Sequence, residues 1–578
     1  MRDNLRNAVD LMYQERNSCI ILGLTGRTGA GCSTVANILK RKYDQLDLRD
    51  YKTYDFANAE ERKYRVIRQF MKKEKWHPFD IIQASAVIFS YVCDKPDETI
   101  KYVKSLGKTT IKQKKLKKEL RDVWISPERK DFKYYSKIMP KKLALFKQKT
   151  EKYTLTGVGP NGEDSNLYSL FMQTVANNLR KTGDPFSNSN SGNQSFHSEN
   201  ALIVVKKIEK IISKKIKKDQ NHKPIRICID ALRNPNEINY LKDRFCNYYT
   251  LAVNTDDEYR RNRLNMKSSE LEGLDSIEYP EKFQKNYEIF YHQNIRGCLE
   301  VADIYLYNPD VSDRKYYNLT GQLLKYISLI LQPGLVTPTH LERCMQLAFN
   351  AKYNSGCLSR QVGAVVTGED FSIRSIGWND VPKGQVPCNL RCVEDYCNNK
   401  DEETFSCFER TDKMMCDALQ KLNDKKKSIS KNQQIDDKLL SCCFKDVYNT
   451  IQKKSNQVYT RSLHAEENAF LQISKYGGAA VQGGKLFTTA SPCELCSKKA
   501  YQLGIKEIYY IDPYPGISQK HILEFGKNDN PQMILFEGAI GNAYISLFAP
   551  RMPYKDELEL YTGISVGKCL EDKCGNKK

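Results

Sequence analysis

Two short motifs, whose His464 and Cys493 are 29 positions apart, constrain this chain more than any other feature. The first is LHAEENAF (463–470), in which Glu466 and Glu467 follow His464. The second is SPCELC (491–496), with Pro492 ahead of Cys493 and Cys496. A helical pattern begins at the first motif, a strand-like run LFTTA (486–490) follows, and SPCELC leads into another helix. A C-x-x-C pair at a helix start suits a metal, because the helix dipole and free N–H groups favour thiolates, the ligating form. Taken singly, the first motif is a polar first turn, and the second is a redox pair or part of a structural zinc site. In this order and at this spacing they offer one imidazole and two thiolates to a single ion.

Length and composition bound the rest. A chain of 578 residues exceeds one ordinary domain, and about two to four are expected. Its hydrophobic content of 40% is enough for real cores. No run of about 18 apolar residues occurs, so no membrane span is expected. The opening stretch MRDNLRNAVDLMYQERNS has no apolar signal core, and the expected compartment is the cytoplasm. The 19 cysteines then read as reduced thiols and metal ligands rather than as a disulfide framework. Thirteen of them follow residue 340, which places the metal question in the second half. The net charge of +21 is concentrated: residues 101–150 hold 17 Lys and Arg against 4 Asp and Glu. Such a window is either a solvated helical face or a surface for nucleic acid or polyphosphate.

The expected architecture is α/β in two regions. Residues 1–335 read as a parallel-sheet domain, with a basic helical insertion at about 100–220. NSCIILGLTGRTGAGCSTVANILKRKY is strand, Gly-rich loop and helix, and PIRICIDALRNPNEINYLKDRF and YYTLAVNTDDEYRRNRL repeat strand then helix. The Ser/Asn/Gly stretch at 181–200 reads as a loop. A break at Pro333 and Gly334, then a capping box from Thr339 to Glu342, opens the second region, 336–578. There VGAVV, GED and FSIRSIGWN predict a hairpin, and a charged, Cys-rich insertion fills about 386–457.

The three ligands His464, Cys493 and Cys496 leave one tetrahedral position on zinc for water, as in catalytic rather than structural sites. Zinc lowers the pKa of that water towards neutrality. Glu466 is not needed as a ligand and can carry the proton as general acid/base. H-x-E followed by P-C-x-x-C is the pattern of zinc nucleobase deaminases. A second histidine, as in H-E-x-x-H, is lacking, which excludes that metalloprotease pattern.

SRQVGAVV (359–366), GWNDVPKG (377–384), LHAEENAF, SPCELC and GIKEIYYIDPY (504–514) resemble the successive motifs of deoxycytidylate deaminases. The resemblance covers about residues 339–550 and implies a cytidine-deaminase-like α/β/α domain. It implies that Asn379 contacts the sugar, that Arg360 meets a phosphate, and that Tyr510 and Tyr514 flank the nucleotide. The insertion departs from it. Cys388, Cys392, Cys397 and Cys407 are candidate ligands for a second, structural zinc, with free or buried thiols as the alternative.

In the first region, Gly26, Arg27, Thr28, Gly29, Ala30, Gly31, Cys32, Ser33 and Thr34 meet the G-x-x-x-x-G-K-[ST] pattern except that Cys32 replaces the lysine. Backbone N–H groups there could hold the phosphates of a nucleotide such as ATP, GTP or a dNTP. Ser33 could meet Mg²⁺, and Asp230 ends a strand as a Walker-B aspartate would. Without the lysine, binding is expected rather than fast hydrolysis, unless a residue such as Arg27 substitutes. NTDDEYRRNRL and ADIYLYN resemble parts of small nucleotide kinases such as dephospho-CoA kinase.

Together the two regions resemble the AvcD-like bacterial anti-phage dCTP/dCMP deaminases. That resemblance implies free deoxycytidine nucleotides as substrates, depletion of the dC pool during phage replication, homo-oligomeric assembly and, in some members, an inhibitory small RNA. Two other readings stand beside it. One is a DNA- or RNA-editing deaminase, favoured by the positive charge. The other is a non-enzymatic nucleotide-sensing or RNA-binding protein with structural zinc.

Overall fold

The computed structural model describes residues 2–106, 113–124, 131–155, 165–187, 196–219, 224–278, 286–309, 315–429, 437–477, 480–512, 517–526 and 529–565. The chain divides into two units, Met1–Thr337 with Asn542–Lys578, and Pro338–Gly541. Among the described residues no helix is long and apolar enough to cross a membrane.

In the first unit, helix α1 (Arg2–Ser18) leads into β1 (Cys19–Thr25), and helix α2 (Cys32–Leu39) follows the Gly-rich loop. Next come β2 (Asp80–Gln83), helix α3 (Ile203–Asp219), β3 (Ile225–Asp230) and β4 (Tyr248–Asn254). Helices α4 (Asp257–Leu264) and α5 (Ser268–Glu278) precede β5 (Ile304–Tyr307) and helix α6 (Leu319–Leu331). All pairings among these strands are parallel: β2 with β3, β3 with β1, β1 with β4, β4 with β5. Strands β3 and β4 are buried along their whole length, because helices cover both faces of a parallel sheet. That burial explains their nearly continuous apolar runs. β1 lies between β3 and β4, where the strand order reverses, and the Gly-rich loop leaves its carboxyl end. This is the position at which open α/β sheets bind ligands.

The basic insertion is mainly helical where described, with one short antiparallel pair, Thr154–Leu155 with Ser165–Asn166. Its helices bury Phe146, Phe171 and Ile208 in one core with Phe89 of the preceding helix and strand residues Ile227 and Ile229. Tyr134 and Tyr135 are buried there too, so they are core rather than a platform for stacking bases. Most of the segment's lysines are exposed or half-buried. Part of the 181–200 stretch lies outside the described residues, and Ser198–Asn200 forms a short 3-10 turn.

The second unit carries helix α7 (His340–Ala351), β6 (Gly363–Thr367), β7 (Ile373–Trp378), the insertion helix α8 (Lys413–Ser428) and helix α9 (Ala465–Tyr476). It continues with β8 (Lys485–Ala490), helix α10 (Glu494–Gln502), β9 (Glu507–Asp512) and β10 (Gln532–Leu535). Its five-stranded sheet runs β10-β9-β8-β6-β7. The expected hairpin is β6 and β7, antiparallel, while β8, β9 and β10 are mutually parallel. Thr339 caps α7, with Glu342 reaching back to its N–H at 2.8 Å.

One boundary differs from the sequence reading, which carries the second region to residue 578. Asn542–Lys578 groups with the first unit instead. Helix α11 (Tyr554–Thr562) packs there through polar pairs: Tyr13 to Glu557 at 3.2 Å, Gln332 to Glu557 at 2.7 Å, and Tyr561 to Asp10 at 2.7 Å. With no buried residue of its own, α11 has no apolar period in the sequence to say which core it joins.

Candidate active site

The metal-ligating side chains of the second unit stand at two helix mouths. His464 is the N-cap of α9, where Glu467 accepts from its backbone N–H. Cys493 is the N-cap of α10, and Cys496 lies on its first turn. Strand β8 joins the two helices. Gly377 on β7 lets the sheet approach α9, since a Cβ there would lie 2.3 Å from the Ala465 carbonyl oxygen. Asn468 adds a hydrogen bond to the Trp378 carbonyl at 2.9 Å.

Cys493 Sγ lies 3.3 Å and Cys496 Sγ 3.5 Å from His464 Nδ1. A tetrahedral zinc with nitrogen at about 2.0 Å and sulfur at about 2.3 Å sets an N···S edge of about 3.5 Å. The donor set therefore fits the ion, and among the described residues it is the cluster able to hold one. The bond from Cys496, with help from His464, brings the Cys493 thiol down to about 4, and the Cys496 thiol is pushed up by the same sharing and by burial.

Glu466 is buried, and burial raises its pKa above the ordinary carboxylate value. Thr488 Oγ1 on β8 donates to Glu466 Oε1 at 3.0 Å and fixes that carboxyl group. Thr488 escaped the sequence reading. Its signal was a hydroxyl inside a fully buried strand just ahead of SPCELC.

The residues expected to touch substrate have structural partners. Asn379 donates from Nδ2 to the Arg360 carbonyl at 2.7 Å and accepts from the Val362 N–H at 2.7 Å. Its amide thus shapes the backbone that presents Arg360. The Arg360 guanidinium pairs with buried Asp512 at the end of β9, a partner the sequence reading missed. Tyr510 is half-buried on β9, opposite Thr488 in the register. Tyr514 lies outside the described residues.

A correction concerns the insertion. Cys388, Cys392, Cys397 and Cys407 do not gather into a metal-ligating cluster among the described residues. Cys392 caps a short helix, Cys397 packs against a small core of Val393, Phe405 and Leu419, and Cys407 is exposed. The insertion is organised by a buried ion pair, Arg391 with Glu409, the guanidinium 4.2 Å from the Phe405 ring centroid.

In the first unit the Gly-rich loop is tightly held. Gly29 and Gly31 take φ of +84° and +110°, and a Cβ on Gly31 would meet Asn308 Nδ2 at 2.1 Å. Arg260 donates to the Thr28 carbonyl at 3.0 Å, and Arg263 and Asn308 to the Ala30 carbonyl at 3.1 and 2.9 Å. Ser33 Oγ donates to Asp230 Oδ2 at 3.3 Å. Gly26 begins the turn, and Thr34 lies on the first turn of α2. Burial pushes the Cys32 thiol up to about 12, so it stays neutral and brings no charge in place of lysine. Arg27, the expected substitute, is turned to Asp257 at 2.7 Å and Asp275 at 3.6 Å. Arg233 reaches the loop at a side chain, with Nη2 3.0 Å from Thr28 Oγ1, whereas Arg260 and Arg263 bind loop carbonyls.

The site of the second unit thus has the donor set of a zinc-binding site, with an adjacent buried acid. Residues 338–512 match the family model of the cytidine and deoxycytidylate deaminase zinc-binding region, so this part of the chain is a deaminase-like domain. A deoxycytidylate deaminase of Enterobacteria phage T2 is 26% identical over 171 residues, which are 29% of this chain and 78% of that protein. ComE operon protein 2 of Bacillus subtilis is 44% identical over 54 residues, 9% of this chain and 28% of that protein. Among solved structures, the apo dCMP deaminase of cyanophage S-TIM5 is 21% identical with a TM-score of 0.19, covering 35% of this chain and 100% of that one.

Proposed function

We propose that the protein is a zinc-dependent hydrolytic deaminase that converts the free nucleotides dCMP and dCTP to dUMP and dUTP. The observation that carries this reading is Glu466: a buried carboxyl group, two residues from His464, with one oxygen anchored by Thr488. His464, Cys493 and Cys496 would hold the ion, and zinc bound there supplies the Lewis acidity that makes a water nucleophilic near neutral pH. In the reaction, water oxygen forms a bond to C4 of cytosine and the C4–N bond breaks, releasing ammonia. Glu466 accepts one proton from the attacking water and passes it to the ring nitrogen, then carries the proton of the resulting C4 hydroxyl to the departing amine, so that the C4 carbonyl forms as ammonia leaves. Its burial favours the protonated form and so helps it to donate. Arg360, released from Asp512, would meet a substrate phosphate, and Asn379 would hold that loop in place.

The first unit is proposed as a nucleotide-binding domain that regulates the deaminase. Gly26–Gly31 would receive phosphates, and Ser33 with Asp230 would hold Mg²⁺. Resemblance extends the proposal to depletion of the deoxycytidine pool in anti-phage defence, by an oligomer restrained by a small RNA.

The test is to give purified protein dCMP, dCTP, CTP and a single-stranded oligonucleotide, with Glu466→Ala as control. Ammonia and uracil nucleotides from the free deoxynucleotides, lost in the variant, are expected. Activity on the oligonucleotide alone would make this an editing enzyme, the reading that the net charge of +21 favours.

A further inference from the structure

The Gly-rich loop already holds an anion, and that anion belongs to the chain. The Thr28 backbone N–H donates to Glu278 Oε2 at 3.0 Å, and Thr28 Oγ1 donates to Glu278 Oε1. Arg233, three residues beyond Asp230, pairs through Nη1 with Glu278 and donates through Nη2 to Thr28 Oγ1. Glu278 closes helix α5 and is only 1% exposed. Burial alone would raise its pKa, but the Arg233 charge and the bonds from Thr28 hold it below the ordinary carboxylate value. The Glu278 side chain is therefore a buried, ionised carboxylate with both oxygens engaged by loop and guanidinium.

These donors match a phosphoryl group as well as they match a carboxylate. A backbone N–H, a hydroxyl and a planar guanidinium converging on two oxygens are the usual equipment for a phosphate ester. Arginine also supplies the charge that Cys32 does not. The loop carbonyls of Thr28 and Ala30 are taken by Arg260, Arg263 and Asn308, so the loop need not rearrange to receive the group. Among the described residues, Glu278 is the anion that now occupies these donors.

We propose that Thr28 and Arg233 form the phosphoryl-binding site of the first unit, and that Glu278 is its built-in competitor. An incoming polyphosphate must displace the Glu278 carboxylate before it can bind. A tethered carboxylate competes at an effective concentration of about millimolar or more, so the site fills only when phosphate ester is abundant. This sets a threshold on occupancy. The inference rests on the proposal that the loop binds phosphates and adds what controls it.

The test is calorimetric titration of the full chain with tripolyphosphate, ATP and dCTP, each with Mg²⁺. Wild type, Glu278→Gln, Glu278→Ala and Arg233→Ala are compared, and circular dichroism and zinc content confirm folding. Glu278→Gln keeps the shape and removes the charge, so it serves even if Glu278→Ala does not fold. Affinity about tenfold or more tighter in Glu278→Gln, and binding lost in Arg233→Ala, is the expected result. Equal affinity in wild type and Glu278→Gln, with loss in Arg233→Ala, would overturn the competitor while leaving the phosphate site standing. No binding in any folded variant would remove the phosphate-binding proposal itself. Binding of ATP and dCTP but not tripolyphosphate would overturn a site that reads the phosphoryl group and favour one that reads the base.

Discussion

Single side chains carry most of the chemistry. Glu466→Ala should keep its zinc, because the three ligands remain, and lower kcat about 100-fold to 10,000-fold, the usual range for one general acid/base. Metal analysis beside a deamination assay checks both halves. Thr488→Val should weaken turnover roughly fivefold, the value of one hydrogen bond of about 1 kcal/mol, whereas Thr488→Ser keeps the hydroxyl and should stay near wild type. Glu278 predicts a pH effect. Its folded pKa lies below the ordinary 4.5, so its stabilisation is complete above that value and is lost as pH falls through the lower folded one. Thermal unfolding measured from about pH 7 to about pH 3 should decline more steeply in wild type than in Glu278→Gln.

At the level of elements, close approach and buried charge decide the outcome. Strand β7 meets helix α9 at Gly377, where the nearest atoms are helix backbone and cannot move aside. Gly377→Ala should therefore destabilise the second unit by about 1–3 kcal/mol and loosen zinc, read from urea unfolding and metal retention against a chelator. In the insertion, Arg391 and Glu409 are almost fully buried as a pair. Removing only Glu409 leaves a buried charge without its counter-ion, which costs about 3–5 kcal/mol. Hydrogen exchange should show α8 and its neighbours opening in Glu409→Ala, and much less in a double variant with both charges replaced by apolar residues.

For the whole molecule, the return of Asn542–Lys578 to the first unit has a direct consequence. A chain ended after residue 541 loses the partners of Tyr13, Arg16 and Gln332, namely Glu557 and Ser546. Its first unit should unfold at lower temperature in calorimetry while the zinc content of the protein is kept. The opposite result, loss of zinc with unchanged unfolding of the first unit, would contradict the division into these two units.

How much was legible in the sequence depends on how local the signal is. His464, Glu466, Cys493 and Cys496 could be read because each motif sits at a helix mouth, where cap geometry and residue type are set within a few positions. The Gly-rich loop and the parallel strands could be read for the same reason: φ above zero demands glycine, and burial on both faces demands a continuous apolar run. Other features depend on partners distant along the chain, and periodicity is silent about them. Glu278 lies 250 positions from Thr28, Asp512 lies 152 from Arg360, and α11 joins a helix at the other end of the chain. The insertion's cysteines show the reverse error, since a spacing that suggests ligands says nothing about where four thiols point. Sequence by itself determined which residue types stand at each turn and which segments are helix or strand. Tertiary structure alone decided which charges meet, because a buried ion pair is held by the fold around it and not by its neighbours in the chain.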